Sequence, residues 1–595
     1  MGLILGLDFG TTYSALSMKD ETDGKIKPCE YDGETMIEDS LVFLADGSDS
    51  LEFGELARNK AGSEGTLYSG FKMMLYEDDV KLLKEQNYSS KVTPKYVTKH
   101  FLDDLLQRCM ESYSTDRIEK LVVGVPDIWD KKTKRNDNEN SLHKNRNILL
   151  KVIQSLGYVD DVELYSEPEL ASAYYLDNYK RQANGESYSG YLLLVDYGGG
   201  TLDVAICESN GKKNNNVRVL KTFGEGWNEQ GKKGDAGLAF MRRLVEISVK
   251  EANQAVDELK ILECQYKLEK ALKKISITKL RELKSVFANG SIEQVAKSRR
   301  ASISFDKLKY GETNIDVTYK MMADAYIQII QPVIKRVLES TVKYLKEKGI
   351  DYSISNKNQH FKIQLVGGFS NFYLVEKSVE EVLGRDENDI RFQGGFTNKN
   401  DKNYAVSYGA ALVANQDISI TRTARYAVGL IGIEGKLDNG KHKYINYPYF
   451  ATRIDDEIVP EKVYLVNLSN GEPKIFIGNN IAYFAFSSDP ELRNENIQAL
   501  KPTDEYSQML RIQDSASRYI IGISFNKSLV ITIHKWRLSD NGEKLLNGYK
   551  NYKKSHKPQT DFVDELTENN EKYGVSFEGC ELLDEIFTLT GVPLT

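Results

Sequence analysis

An apolar run, ILGL at 4–7, stops at Asp8 and passes at once into a small, hydroxyl-rich turn, FGTTY, after which SALSM at 14–18 alternates apolar and polar positions. Alternation with a period of two marks a half-buried strand, and a short unbroken apolar run marks a strand buried on both faces. Residues 3–18 are therefore expected to form strand, tight turn and strand. Residues 191–207 (YLLLVDYGGGTLDVAIC) repeat the plan: an apolar run into Asp196, three glycines, then Leu202, Val204 and Ile206 alternating with Asp203 and Ala205. This reads as a divergent internal duplication, giving two similar lobes that each present one hairpin.

Leu, Lys and Glu recur at helical spacing over 238–285, and a second long helical pattern covers 315–349, interrupted by Pro332. A strand running into paired glycines follows at 363–371, IQLVGGFSN. After about residue 418 short alternating runs appear at 461–468, 518–525 and 528–536, with Asn-Gly pairs at 439–440, 470–471, 541–542 and 547–548. Asn-Gly between alternating runs is the strongest short hairpin signal, so residues 419–545 read as a mostly antiparallel β domain. The stretch 549–560 (YKNYKKSHKPQT) reads as a linker and 561–595 as a short helix or two. The polar stretch 131–147 (KKTKRNDNENSLHKNRN) reads as a solvated surface loop, the alternative being a partner or nucleic-acid contact.

The length of 595 residues leaves room for three or four domain-sized units. A net charge of −8 argues against nucleic acid or an anionic membrane as the main partner. Five cysteines (Cys29, Cys109, Cys207, Cys264, Cys580) contain no CxxC and read as a reduced chain. No apolar run approaches the ~18 residues of a membrane span, and the N-terminus lacks the basic start of a signal peptide. The expected location is the cytoplasm. Six histidines without HExxH clustering point to no histidine metal site.

The two hairpins carry the chemistry. Backbone N–H groups in a glycine turn can point inward and cradle phosphate oxygens, and threonine hydroxyls add donors. A carboxylate beside phosphates is repelled by them, but it can hold Mg²⁺ directly or through waters. DFGTTY and DYGGGTLD each make sense as half of a clamp around a Mg²⁺-bound triphosphate. GWNEQGKK at 226–233 nearly fits a P-loop, but Lys233 stands where the Mg²⁺-binding hydroxyl belongs, so it is expected to be a loop.

With these motifs in hand, residues 1–415 resemble the ATPase domain of the 70-kDa heat-shock chaperones, the DnaK-like family within the actin and sugar-kinase superfamily. The motifs are LDFGTTYS, VDYGGGTLD, SEPELASAYY at 166–175, LVGGFSN and YAVSYGAAL at 404–412, in the family's order. The resemblance implies an α/β two-lobed actin-like ATPase domain, then a mostly antiparallel β-sandwich-like domain and a short helical tail. The implied division is a nucleotide-binding domain over 1–415 with a long helical insertion at about 227–310, a linker over 416–430, a β-rich substrate-binding-like domain over 431–548, and linker and short helices over 549–595.

Carried over by the motifs, Lys72 contacts the γ-phosphate and attacking water, and Glu167 sits near the Mg²⁺ water network. Pro126 relays domain movement. Asp8 and Asp196 belong to the metal and water shell, with Thr201 completing the catalytic set. Gly10, Thr11, Thr12, Tyr13, Gly198, Gly199, Gly200 and Thr201 form the phosphate cradle, and Asp203 lies near a monovalent cation, K⁺. Glu269, Lys273 and Ser276 match the helix that contacts ribose and adenine, and Gly367, Gly368 and Asn371 match the adenosine loop. Phe369 and Asn371 replace the family's serine and base-stacking arginine, Leu272 a lysine, and Asn403 the aspartate of the closing helix motif. These departures bear on adenine affinity and base specificity more than on phosphate chemistry.

The implied function is an ATP-dependent chaperone-like protein: Mg-ATP binding and slow hydrolysis, coupled to polypeptide binding by the β domain. Its partners are unfolded or specific client polypeptides and a co-chaperone or nucleotide-exchange factor, with no nucleic acid and no membrane. Positioning and charge stabilisation dominate phosphoryl transfer to water. Two alternatives belong to the same superfamily: an actin-like filament-forming or segregation ATPase, and a small-molecule kinase with Asp203 as its base.

Overall fold

The opening run becomes β1, Leu3–Phe9, and returns antiparallel as β2, Tyr13–Lys19, with Phe9 opposite Ser14. The structure, a computed structural model, describes residues 2–126 and 145–467 except 61–62, 76, 78, 212–215, 226–235, 274, 354–360, 385–388, 393–395, 397–398, 425–426, 439–440 and 455; beyond 467 it describes 474, 476–477, 482–487, 492, 497–499, 518–527, 531–538 and 585–589. The near-P-loop at 226–233, the polar stretch up to residue 144 and the Asn-Gly pairs at 470–471, 541–542 and 547–548 lie outside the described residues. The chain forms two units, residues 1–129 with 148–420, and residues 130–147 with 421–595.

In the first unit, β1 pairs in parallel with β3, Ile118–Val125, and β3 in parallel with β4, Val159–Ser166. Parallel strands buried on both faces read as continuous apolar runs, as ILGL and LVVGV do. Short helices α1, Gly54–Asn59, and α2, Phe71–Met74, precede the longer α3, Pro94–Ser112. Thr93 caps α3 by accepting the Tyr96 N–H at 3.2 Å, and Pro94 fits the first turn, where no N–H is needed. The rings of Phe71 and Phe101 pack on Phe9 with centroids 6.2 and 6.3 Å away, which fixes α2 at the carboxyl end of β1. Helix α4, Glu167–Gln182, follows β4 without a loop.

The second lobe repeats the scheme. β5, Ser189–Tyr197, is antiparallel to β6, Leu202–Asn210, and β6 to β7, Asn216–Glu225, while β5 is parallel to β8, Phe361–Val366. Asp8 is level with Gly124 of its parallel partner and Asp196 with Val366 of its own, so both carboxylates stand at corresponding strand ends. Helices α5, Gly237–Glu251, α6, Glu258–Lys273, and α7, Ile277–Phe287, fill the expected helical region.

The second helical pattern starts later than its sequence suggests. Thr313–Thr318 is a strand paired with Ser304–Tyr310, because TNIDVT alternates β-branched and polar positions. Thr318 then caps α8, Tyr319–Ile329, and Pro332 sits in the first turn of α9, Gln331–Glu347. The proline thus starts a new helix instead of kinking one. Helices α10, Tyr373–Leu383, and α11, Lys399–Ala414, complete the unit, with α11 packed on α4, β1 and β2.

In the second unit, Ala427–Asp438 and Lys441–Thr452 form an antiparallel hairpin around residues 439–440, with Asp438 opposite Lys441, where Asn-Gly is expected to turn. Ala482–Ser487 and Ile497–Ala499 extend that sheet. A second antiparallel sheet joins Tyr464–Leu465, Arg518–Phe525, Ile531–Leu538 and Glu585–Leu589. Two expectations differ here. Within 416–430, read as linker, Ser419–Thr423 is a strand and a longer one begins at Ala427. In the tail, where short helices were expected, the described residues Glu585–Leu589 are a strand, in keeping with the β-forming side chains of EIFTL.

Candidate functional site

The ends of β1, β5 and β8 and the turns that follow them open onto one cavity of about 380 Å³. It is lined by Asp8, Gly10, Thr11, Thr12 and Tyr13, by Lys72 and Glu167, by Asp196 and Gly198, Gly199, Gly200 and Thr201, and by Glu269, Gly367, Gly368 and Asn371. Residues from six separate places in the chain thus converge on one cleft.

Lys72 is only 1% exposed. It leaves the start of α2, passes over the Phe9 ring with its ammonium 5.5 Å from the centroid, and donates a 2.5 Å hydrogen bond to Glu167 Oε1. Glu167 is the first residue of α4. Its place is set by SEPEL: Ser166 is the N-cap, its N–H donates to Glu169 Oε2 at 2.7 Å, and Pro168 occupies the first turn. The motif is therefore a helix start that aims one carboxylate into the cleft.

Three carboxylates, Asp8, Glu167 and Asp196, share this pocket with Lys72. Burial pushes Asp8 up to about 7, the Glu167 charge adds to the rise, and Lys72 opposes it. Asp196 is held well above the usual carboxylate range by burial, then by Glu167, Asp8 and Asp203, again against Lys72. A site that destabilises its own anions this way is poised to receive positive charge. Asp203 is fully buried on β6 directly opposite Asp196, outside the cavity lining.

The turns approach one another closely. A Cβ on Gly199 would lie 1.9 Å from Thr12 Oγ1, so a side chain there would displace the Thr12 hydroxyl where the two hairpin tips meet. Thr12 Oγ1 is buried with no hydrogen-bond partner among the described residues. Gly367 has φ +83°, and a Cβ on it would lie 2.2 Å from Asp196 Oδ1. The Ser370 hydroxyl accepts the Tyr197 N–H at 3.1 Å and ties this loop to β5.

The sequence departures acquire a structural reason. Phe369 turns into the core, its ring 5.4 Å from both Tyr197 and Phe240. Asn371 Nδ2 donates to Asn403 Oδ1 at 3.2 Å, so the two positions lacking the family's arginine and aspartate meet as a neutral amide pair. Ser276 lies outside the cavity lining and serves as N-cap of α7, accepting the Lys279 N–H at 3.2 Å. The Lys273 side chain lies outside the described residues. Pro126 is buried directly after β3.

Leu272, singled out in the sequence as a departure, lines the cavity. Two features escape sequence reading. Ile275, Leu280, Leu283, Phe372 and Tyr373 also line it; the helical periodicity marks such residues as core, so nothing separates them from packing positions. Arg58 of α1 donates to the Tyr13 hydroxyl at 3.1 Å and to the Asp39 carboxylate, and its guanidinium lies 5.5 Å from the Tyr266 ring centroid on α6. Burial first, then the nearby Glu269 charge, raises the Tyr13 phenol above its ordinary value. A lone arginine in a six-residue helix carries no motif by which to find it.

Among the described residues no helix is long and apolar enough to cross a membrane. Residues 4–418 match the family described as Hsp70 protein. One relative is the chaperone protein DnaK of Nitrosopumilus maritimus (strain SCM1), 24% identical over 396 residues, which cover 65% of this chain and 53% of that protein. The chain thus spans about half the length of this curated relative.

Proposed function

The chain belongs to the Hsp70 family, and from that premise we propose that it is an ATP-dependent chaperone-like protein that binds and slowly hydrolyses Mg-ATP in its first unit and couples this to polypeptide binding in the β-rich unit. The observation that carries the reading is the buried Lys72–Glu167 pair held beside Asp8 and Asp196 at the meeting point of three glycine turns. The residues suit a hydrated Mg²⁺ and a phosphate chain. Burial and the Glu167 charge raise the proton affinity of Asp8 and of Asp196, and Thr12 Oγ1 is buried without a partner among the described residues.

Mg²⁺, when bound, neutralises phosphate charge, and Asp8, Asp196 and Glu167 would hold it through its waters. The chain's own residues do the rest. Thr11, Thr12 and the 198–201 turn orient the phosphates for in-line attack by water. The water oxygen bonds to the γ-phosphorus as the bond to the β–γ bridging oxygen breaks, releasing ADP and phosphate. Lys72 stabilises the charge that builds on the transferring group, worth roughly 3–4 kcal/mol by analogy with a lost oxyanion donor. Glu167 positions Lys72. Asp203 would be the residue to hold a K⁺, which would supply a further positive charge near the carboxylates.

The proposed domains are a nucleotide-binding domain over 1–415 and a substrate-binding domain over 431–548, in the cytoplasm, with client polypeptides and an exchange factor or co-chaperone as partners. ATP drives the cycle only if it binds one arrangement of the lobes more tightly than the other. The test is the affinity of a labelled unfolded peptide with ADP and with ATP, using Lys72→Ala as the hydrolysis-deficient control. Weaker peptide binding with ATP in both proteins supports the reading. Equal binding in both states, or none, refutes the coupling, and nucleotide-dependent sedimentation then tests for filaments.

A further inference from the structure

The first glycine turn is gripped from behind by one buried serine. Ser40 follows the short strand Ile37–Asp39, which pairs antiparallel with β2, Tyr13 opposite Asp39. That register carries Ser40 to the turn joining β1 to β2, where it bonds the backbone twice. Its N–H donates to the Thr12 carbonyl at 2.8 Å, and its hydroxyl donates to the Gly10 carbonyl at 2.8 Å. Ser40 is 1% exposed and lies outside the cavity lining, to which Gly10, Thr11 and Thr12 belong. We propose that Ser40 is a positioning residue for the phosphate chain: from outside the cleft it holds the backbone of residues 10–12 in the conformation that receives a nucleotide's phosphates. The inference rests on the Mg-nucleotide reading above.

The carbonyl and the N–H of a trans peptide point in opposite directions. Drawing the Gly10 carbonyl toward Ser40 therefore turns the Thr11 N–H away from it. A flip of the Gly10–Thr11 peptide would exchange that donor for an acceptor, and phosphate oxygens are attracted by the first and repelled by the second. The Ser40 hydroxyl opposes this flip. The turn is also tight, since a Cβ on Gly10 would lie 2.0 Å from the Tyr13 carbonyl oxygen. A hydroxyl carries one hydrogen and two lone pairs. The Ser40 hydrogen goes to Gly10, so in the 3.0 Å contact between Ser40 Oγ and Ser14 Oγ it is Ser14 that donates. The order Ser14 to Ser40 to Gly10 lets each bond strengthen the next. Ser14 is as buried as Ser40, and its hydroxyl acts on the turn through Ser40. Removing it is thus a matched control: the same buried hydroxyl pair is broken while both Ser40 bonds to the turn remain.

The experiment is titration calorimetry on the full chain with Mg²⁺ present, with ATP and adenosine titrated separately. The proteins are the unaltered chain, Ser40→Ala, Ser40→Cys and Ser14→Ala. Ser40→Ala is expected to weaken ATP by about tenfold, the worth of one buried hydrogen bond. Adenosine, which has no phosphate, should change by less than about twofold. Ser40→Cys is nearly isosteric but a weak donor, so it keeps the packing and should weaken ATP severalfold, whether or not the alanine variant folds. Ser14→Ala should leave ATP within about threefold of the unaltered chain. Unchanged ATP affinity in Ser40→Cys overturns the inference and leaves the nucleotide reading intact. So does an equal loss of ATP and adenosine, or a loss in Ser14→Ala as large as in Ser40→Ala, since either makes the serine pair a packing element. An unaltered chain that binds neither ATP nor adenosine overturns both.

Discussion

Asp8→Asn should stabilise the ligand-free chain at neutral and alkaline pH while removing much of its response to Mg-nucleotide. Burial and the neighbouring Glu167 lift Asp8 from 3.8 to about 7. The folded chain therefore keeps a proton that the unfolded chain releases above about pH 4. Its contribution to stability is fully present below pH 4 and is lost as pH rises through 7. A rise of about three units at 1.4 kcal/mol each sets an upper bound of roughly 4 kcal/mol at pH 8. The buried amide carries its own desolvation cost, of order 1–2 kcal/mol, so a net gain of roughly 2–3 kcal/mol is expected. Thermal melts of both proteins from pH 4 to 8 read this out: the variant melts several degrees higher at pH 8 and slightly lower near pH 4, where Asp8 is protonated and only the cost of the buried amide remains. Added Mg-ATP raises the melting point of the parent by mass action and of the variant much less. If Asp8→Asn melts lower by the same margin at both pH values, Asp8 is a satisfied, ionised structural group and the electrostatic account of the cleft is wrong.

Gly367→Ala places a side chain at φ +83° and 2.2 Å from Asp196 Oδ1, so calorimetry should find nucleotide binding abolished with the far-ultraviolet spectrum of the fold retained. Arg58→Ala removes the group that bonds Tyr13 and Asp39 and covers the Tyr266 ring; stopped-flow release of a fluorescent nucleotide should accelerate severalfold. Arg58→Lys should restore little of it, because an ammonium cannot span all three partners as a planar fork does.

The glycine-turn end of the cleft was legible in the sequence because its pattern is local. Asp8 and Asp196 end apolar runs, glycines and threonines follow within a few residues, and the strand period of two then says which side chains share a face. SEPEL stood out only through the family resemblance, and its capping box, a contact over three residues, is what the structure adds. Where patterns competed, the boundary slipped: Thr313–Thr318 alternates as a strand inside what otherwise scans as helix, and the paired strand at Ser304–Tyr310 decides the matter.

The apolar lining and the Arg58 cluster could not be read in the same way. Leu280 and Leu283 satisfy helical periodicity whether they face a core or a cavity, and only the packing of the chain brings them to its lining. Asn371 and Asn403 stand 32 positions apart, and their hydrogen bond exists because β8 and α11 deliver them to one place. The sequence by itself determined the two hairpins, their carboxylates and the order of the lobes, since backbone preference and hydrophobic period act over a few residues. Tertiary structure alone decided how burial and neighbouring charge perturb Asp8 and Asp196, because charge interaction and burial depend on distance through space and not along the chain.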